Sequence, residues 1–104
     1  MQRKALKMFL HPGKEAEYKK RHDEIWPELA DLLKSVGVQN YSIFLDPDNC
    51  VLFAYLEAED LSLLDDLPQL PIMQKWWAYM ADIMECNPDN SPKAVEIPSV
   101  FYLA

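Results

Sequence analysis

The chain has 104 residues, half of them hydrophobic, with only two glycines and a formal net charge of −7. Such a length suits one domain spanning residues 1–104, and such a composition excludes a disordered or low-complexity chain. The negative charge argues against a nucleic-acid partner, because the phosphates would repel this surface.

The two cysteines, Cys50 and Cys86, have no Cys-x-x-Cys spacing and no histidine at a metal-ligand spacing. We interpret both as small buried hydrophobic residues of a protein in a reducing compartment. The apolar run at the N-terminus is interrupted by Lys7 and ends at Pro12, unlike a signal peptide, and no stretch approaches the roughly 20 apolar residues of a membrane span. We therefore expect a soluble cytoplasmic protein with no membrane partner.

The first predicted elements are a strand and a long helical region. Residues 4–10 mix alternation with a short apolar run before a His-Pro-Gly turn, which predicts a strand. His11 lies in that turn, where we expect a surface position. The helical region covers residues 14–35 and ends before Gly37. Pro27 lacks a backbone N–H, so we expect either a kink or a second helix with Pro27 in its first turn.

One stripe within this helical region is the central feature of the sequence. Helical spacing places Tyr18 and His22 side by side. The stripe continues through apolar residues in the following turns: Ile25 or Trp26, Leu29 and Leu33. A lone histidine on such a stripe is more often a hydrogen-bonded core residue than a catalyst, but the neighbouring phenol and the interruption at Pro27 favour a functional His22. A solvated helix face explains the basic run at residues 19–21.

A β-hairpin is predicted next. Residues 40–45 are rich in β-forming side chains, and a clear turn at residues 46–49 leads to a returning strand over residues 50–57. Alternation places Tyr41 on the same face as two aliphatic residues of its strand. Tyr41 is therefore either a core tyrosine or part of a pocket wall with its hydroxyl available.

Two further helices are predicted after the hairpin. Asp60 can cap a short helix over residues 61–67, and the pattern is helical again over residues 71–84. Trp76 and Trp77 fall on adjacent apolar stripes of this last helix. Since neighbouring residues on a helix diverge by about 100°, both indoles cannot lie flat on one surface. One is expected in the core and the other beside a pocket, and which is which stays open.

The predicted order of elements ends with a connection and a strand. Residues 86–98 form a long turn-rich connection, either functional or knit by local hydrogen bonds, and residues 100–103 are predicted as the final strand. Strand, helix, strand, strand, helix, strand is the ferredoxin-like α+β arrangement, an antiparallel sheet with helices on one face. The uncovered face predicts that two sheets pack together in a symmetric homodimer, a dimeric α/β barrel.

Several short segments match one known family in the right order: Tyr18 with Arg21-His22, residues 25–29, Asn40-Tyr41, Leu45-Asp46, Trp76-Trp77, Tyr79-Met80, and residues 87–92 and 100–103. Through them the chain resembles the L-rhamnose mutarotase family, small enzymes that interconvert the α and β anomers of that sugar. The resemblance covers nearly the whole chain, apart from residues 58–74.

The resemblance implies a dimer of ferredoxin-like units with a sugar pocket between sheet and helices. It also implies that His22 is the catalytic proton donor and that four aromatic residues contact the monosaccharide: Tyr18, Tyr41, Trp76 and Trp77. Anomer exchange needs a proton donor and an acceptor, but no metal, redox cofactor or covalent nucleophile. Imidazole suits this task because its usual pKa of about 6.5 leaves both protonation states available near neutrality. The second acid/base group stays open between Tyr18, a water molecule and His22 acting twice.

Two hypotheses of other classes stay open beside this one. The chain could be a non-catalytic sugar-binding or regulatory module in which His22 only forms a hydrogen bond. By fold analogy alone it could be a small monooxygenase or haem-binding protein, with His22 or His11 as an axial ligand.

Overall fold

The structure, a computed structural model, describes all residues from 1 to 104. It contains four strands and three α-helices: β1 Gln2–Phe9, α1 Glu15–Asp23, α2 Pro27–Ser35, β2 Gln39–Asp46, β3 Val51–Ala58, α3 Pro71–Met80 and β4 Ala94–Ile97. Two short 3-10 turns, Leu61–Leu64 and Leu67–Gln69, connect β3 to α3. None of the helices has the length and apolar character that crossing a membrane would require.

The strands form one antiparallel sheet in the order β2-β3-β1-β4, so the chain has an α+β fold as predicted. Strands β1 and β3 are central, and their register places Met8 opposite Leu52 and Leu6 opposite Ala54. These residues point to the face that carries the core. Residues between them along each strand point to the other face, since successive side chains alternate.

The hydrophobic core lies between the first of these faces and the helices. All four residues of β3 on this face are buried: Leu52, Ala54, Leu56 and Ala58. The core is completed by buried side chains of the helices and of the segment after α3: Tyr18, Leu29, Met73, Trp76, Met80, Ile83 and Met84. Each large apolar side chain buried in this way contributes about 1.5–3 kcal/mol. The helices are therefore fixed on the sheet by burial.

The helical region predicted over residues 14–35 is two helices. Trp26 has extended backbone, with φ −61° and ψ 130°, and Pro27 begins α2. A residue before proline avoids the α conformation, which explains the break. Of the two predicted alternatives, the fresh start at Pro27 is the one that the structure adopts. Gly37 follows α2 with φ 91°, a left-handed conformation that glycine tolerates just beyond a helix end.

Helix α1 is stabilised more by its charged residues than by burial. Glu15 and Glu17 lie in its first turn and basic residues lie in its last, which complements the helix dipole. Tyr18 is its only buried residue. His22, one turn later, is half-buried on the same side. The helix thus carries two polar rings towards the core and most of its charges towards solvent.

The prediction of a final strand at residues 100–103 is wrong. These residues have no regular secondary structure, and the last strand is β4, inside the segment predicted as a connection. Val100 is 94% exposed. Proline has no N–H to donate to a ladder, so Pro98 ends β4 and the apolar residues after it stay unpaired.

The other boundaries differ less from the predictions. Asp60 does act as a cap, because its side chain accepts a hydrogen bond from the Ser62 N–H, but 3-10 turns replace the helix predicted over residues 61–67. Pro68 interrupts that segment. Helix α3 ends at Met80 instead of continuing to residue 84.

Candidate functional site

A cavity of about 1120 Å³ opens between the core face of the sheet and the helices. Its walls are mainly hydrophobic, with a few polar side chains, as is usual for a small-molecule site. The structure brings all five predicted site residues to this one cavity: Tyr18, His22, Tyr41, Trp76 and Trp77. Helix α1, strand β2 and helix α3 supply them.

The imidazole of His22 is held by the helix that carries it. Its Nδ1 lies 3.1 Å from the backbone oxygen of Tyr18, one turn earlier. A carbonyl oxygen only accepts hydrogen bonds, so Nδ1 is the donor and carries a proton. The two rings also stack, with centroids 4.2 Å apart and planes 27° apart. This arrangement leaves Nε2 as the ring nitrogen that can exchange a proton with a ligand.

Burial determines the charge of His22. Desolvation lowers its pKa, and the hydrogen bond to the Tyr18 carbonyl and the charge of Asp23 only partly oppose the shift. His22 is therefore neutral at neutral pH, with a free lone pair on Nε2. A neutral imidazole in this tautomer is ready to act as a base.

Two phenols face this imidazole region from different elements. Burial raises the pKa of Tyr18, and the neighbouring Tyr41 raises it further. Partial burial also raises the pKa of Tyr41, although 43% of that residue is exposed. Of the two predicted alternatives for Tyr41, core residue or pocket wall, the structure shows the second. Both hydroxyls stay protonated at neutral pH and can donate hydrogen bonds.

The two tryptophans occupy different environments, because one residue of helix turns the side chain by about 100°. Trp76 is 7% exposed and belongs to the core, while its ring edge meets His22 with centroids 5.4 Å apart and planes 86° apart. Trp77 is half-buried on the cavity wall and contacts no other aromatic ring. Trp76 is thus the core residue of the pair, although both line the cavity.

Three residues beside the site have contacts that the sequence predictions missed. The Trp26 ring meets Trp76 edge-on at 5.1 Å and stacks on Tyr79 at 5.5 Å. The spacing of three between Trp76 and Tyr79 is the helical signal that could have indicated this cluster. Arg21 corrects the prediction of a solvated basic run at residues 19–21, since its side chain is only 10% exposed and forms ion pairs.

The remaining predicted positions lie away from this site. His11 is half-buried outside the cavity wall, and its backbone N–H donates to the Ile83 carbonyl. Cys50 and Cys86 are unpaired and pack against the core, but they are half-buried, so they are less buried than predicted. The sequence cannot show that each cysteine lies at the margin of the packed region.

Comparison with known proteins gives consistent matches. A model of the L-rhamnose mutarotase family matches residues 3–103. An L-rhamnose mutarotase from Listeria monocytogenes is 56% identical over 104 residues, 100% of both chains, and one from Rhizobium meliloti is 56% identical over 99% of both. The crystal structure of an L-rhamnose mutarotase from Formosa agariphila has a TM-score of 0.94 at 46% identity, covering 100% of both chains. The structure of Rv0793 from Mycobacterium tuberculosis, 9% identical over 98% of this chain and 97% of that one, shares only the fold, with a TM-score of 0.57.

Proposed function

Because the chain belongs to the L-rhamnose mutarotase family, we propose that it is an isomerase that interconverts the α and β anomers of L-rhamnose. The observation that supports this function best is the position of His22. Its imidazole lies between the Tyr18 and Trp76 rings on the wall of a cavity large enough for a monosaccharide, with Nδ1 engaged and Nε2 free.

The reaction moves protons only. The anomeric hydroxyl loses a proton, the ring oxygen gains one, and the bond between the anomeric carbon and the ring oxygen breaks to give the open-chain aldehyde. The aldehyde then turns its other face to the same hydroxyl, and the bond re-forms with the proton movements reversed. A base in the opening step is therefore an acid in the closing step, as microscopic reversibility requires.

His22 is the residue that we assign to the anomeric oxygen. Its neutral form takes the hydroxyl proton on Nε2 as the ring opens, and the imidazolium returns it to the aldehyde oxygen as the ring closes. The proton-donor role expected for His22 belongs to this second half of the reaction. A positioned acid/base group of this kind gives a rate increase of about 10²–10⁴-fold.

Tyr18 is the residue that we propose as the second acid/base group. Its ring stacks on His22, and both residues line the same cavity. Burial raises its pKa, which keeps the phenol protonated when the substrate binds but makes it a weaker acid. The positive charge that His22 gains beside it favours transfer of the phenol proton to the ring oxygen. Proton gain by His22 and proton loss by Tyr18 balance in the opening step and reverse in the closing step.

The other aromatic residues fit the shape of the substrate. A pyranose has C–H faces that lie against an indole, and a 6-deoxy sugar adds a methyl group. Trp76 and Trp77 provide the apolar walls, and the Tyr41 hydroxyl provides a directional hydrogen bond. We therefore assign Tyr18, Tyr41, Trp76 and Trp77 to substrate binding.

Anomer exchange on L-rhamnose, measured by saturation-transfer NMR with and without the protein, tests this proposal. We expect His22→Asn to slow the catalysed exchange about 10²–10⁴-fold with the fold intact, because the shorter amide can still donate near the Nδ1 position. His11→Asn is the matched control, since that histidine lies outside the cavity wall, and it should retain full activity. Near-normal exchange by His22→Asn would remove His22 from the mechanism. Binding of L-rhamnose without any acceleration by the wild type would favour a non-catalytic sugar-binding module.

We also propose that the chain is a ferredoxin-like unit of a homodimer. The strand order β2-β3-β1-β4 is the one expected for that fold. The sheet face opposite the core exposes Phe44 to 68%, Phe53 to 41% and Val95 to 48%. Phe44 and Phe53 are cross-strand neighbours, and an apolar patch of this kind is costly in water. Packing two such faces together, as a dimeric α/β barrel, would remove it.

The cytoplasm is the compartment that we propose. Cys50 and Cys86 are both unpaired thiols. Free thiols of this kind persist where glutathione and thioredoxin keep cysteines reduced.

A further inference from the structure

Arg21, which precedes His22 in α1, joins that helix to the end of α3. Its Nη1 donates to the Tyr79 carbonyl at 2.7 Å and to the Asp82 carboxylate at 2.8 Å, while its Nε donates to Glu17 at 2.7 Å. The guanidinium also lies over the Tyr79 ring, 4.5 Å from its centroid. A planar fork with five donors makes all of these contacts at once, which a lysine cannot do.

A row of ring contacts leads from this guanidinium back to His22. Tyr79, beneath Arg21, stacks on Trp26, and Trp26 meets Trp76 edge-on. Trp76 in turn meets the imidazole of His22 edge-on. Helix α1 thus bears both ends of the row, and α3 supplies the rings Tyr79 and Trp76 between them. A displacement of α3 relative to α1 would be transmitted to the contact between Trp76 and His22.

We propose that Arg21 is a positioning residue for anomer exchange, which fastens the end of α3 to α1 and so keeps the Trp76 ring against His22. The inference rests on the proposed function for its kinetic test, but its test on the imidazole itself does not. Misplacement of a reacting group by about 1 Å can cost 10²-fold in rate. Loss of the fastening would therefore lower the rate without removing any group that touches the sugar.

The pKa of His22 depends on its surroundings and can therefore show whether Arg21 keeps the Trp76 ring in place. Tyr18 and Asp23 face it from α1, and the indole of Trp76 meets it from α3. Tyr41 from β2 and Lys4 from β1 line the same cavity. Burial is the main cause of its lowered pKa. If the Trp76 ring moves away, water reaches the imidazole and the pKa of His22 rises towards its usual value of about 6.5.

Three variants of α1 test the proposal: Arg21→Met, Arg21→Lys and Lys20→Met. Arg21→Met removes the guanidinium and its charge, and Arg21→Lys removes the guanidinium but keeps the charge. Lys20→Met removes a charge from an exposed neighbour that makes no contact with α3. For Arg21→Met we expect kcat to fall about 10- to 100-fold, with a smaller change in KM, and the pKa of His22, measured by NMR titration of its ring, to rise. Arg21→Lys should change both in the same direction but less, and Lys20→Met should behave as the wild type.

A folded Arg21→Met protein with wild-type kcat and a wild-type His22 titration overturns the proposal. Equal losses in Arg21→Met and Lys20→Met overturn it too, because they would reflect charge alone. If Arg21→Met does not fold, Asp82→Asn replaces it as the test, because this variant keeps the contacts of Arg21 with Tyr79 and Glu17. A smaller fall in kcat together with a smaller rise in the pKa of His22 supports the proposal, and wild-type values of both overturn it. A wild type that does not exchange anomers contradicts the proposed function, while the His22 titration still tests the positioning.

Discussion

Trp76 and Trp77 are neighbours in sequence, yet we expect their substitution by alanine to damage different properties. Trp76 is 7% exposed and meets three other rings, those of His22, Trp26 and Tyr79. Truncation of such a buried side chain costs about 3–5 kcal/mol, against a total stability of about 5–15 kcal/mol for a domain of this size. At roughly 4–8 °C of Tm per kcal/mol, Trp76→Ala should melt about 12–40 °C below the wild type.

Trp77→Ala should lose binding and much less stability than Trp76→Ala. Its side chain is half-buried on the cavity wall and touches no other ring, so we expect a loss of about 1–2 kcal/mol in stability. Removal of the apolar wall should weaken L-rhamnose binding about tenfold, which corresponds to 1.4 kcal/mol.

Two assays separate these outcomes. Thermal unfolding followed by far-UV circular dichroism gives the Tm of each variant without using tryptophan as the probe, and calorimetric titration gives the affinity for L-rhamnose. Trp76→Phe, which retains a ring, should recover part of the lost Tm. Equal Tm losses for Trp76→Ala and Trp77→Ala would refute the reasoning, and unchanged affinity with a large Tm loss in Trp77→Ala would assign that residue to the core.

Two further predictions concern pH and assembly. Burial lowers the pKa of His22, and in the proposed mechanism its neutral form accepts the first proton. We therefore expect kcat/KM to stay constant as the pH is lowered to the usual histidine range near 6.5, and to fall only below it. A rise in kcat/KM on acidification would mean that the imidazolium is the starting form. Phe53→Glu, on the exposed sheet face, should give monomers in analytical ultracentrifugation, while Leu63→Glu, at an equally apolar exposed position outside the sheet, should leave the dimer intact. A monomeric wild type would contradict the second prediction.

Local sequence patterns predicted the parts of this structure that depend on interactions between residues close together in the chain. The spacing of four residues predicts that Tyr18 and His22 lie side by side, and their rings do stack. Pro27 marks the helix break because its effect acts on the residue immediately before it. Alternation in β2 predicts the direction of Tyr41, which the structure places on the cavity wall.

Features that depend on distant partners could not be predicted in this way. Residues 100–103 have strand-forming side chains but no partner strand, whereas Ala94–Ile97 lies beside β1 and forms a ladder with it. Propensity describes the side chains, but pairing requires a neighbour. Arg21 looks like its basic neighbours in sequence, and only the approach of Tyr79 and Asp82, about 60 positions away, distinguishes it.

The same distinction applies to the chemistry of His22. Its tautomer is a local property, because the acceptor for Nδ1 is the Tyr18 carbonyl one turn earlier in the same helix. Its basicity is not local, because the lowered pKa comes mainly from burial, to which Trp76 of α3 contributes from a different part of the chain. An isolated α1 peptide could therefore present Nε2 as the free nitrogen but could not keep the imidazole neutral by desolvation. In the proposed mechanism, the helix alone selects the ring nitrogen that exchanges the proton, and the packing of α3 on α1 sets the pH range in which it does so.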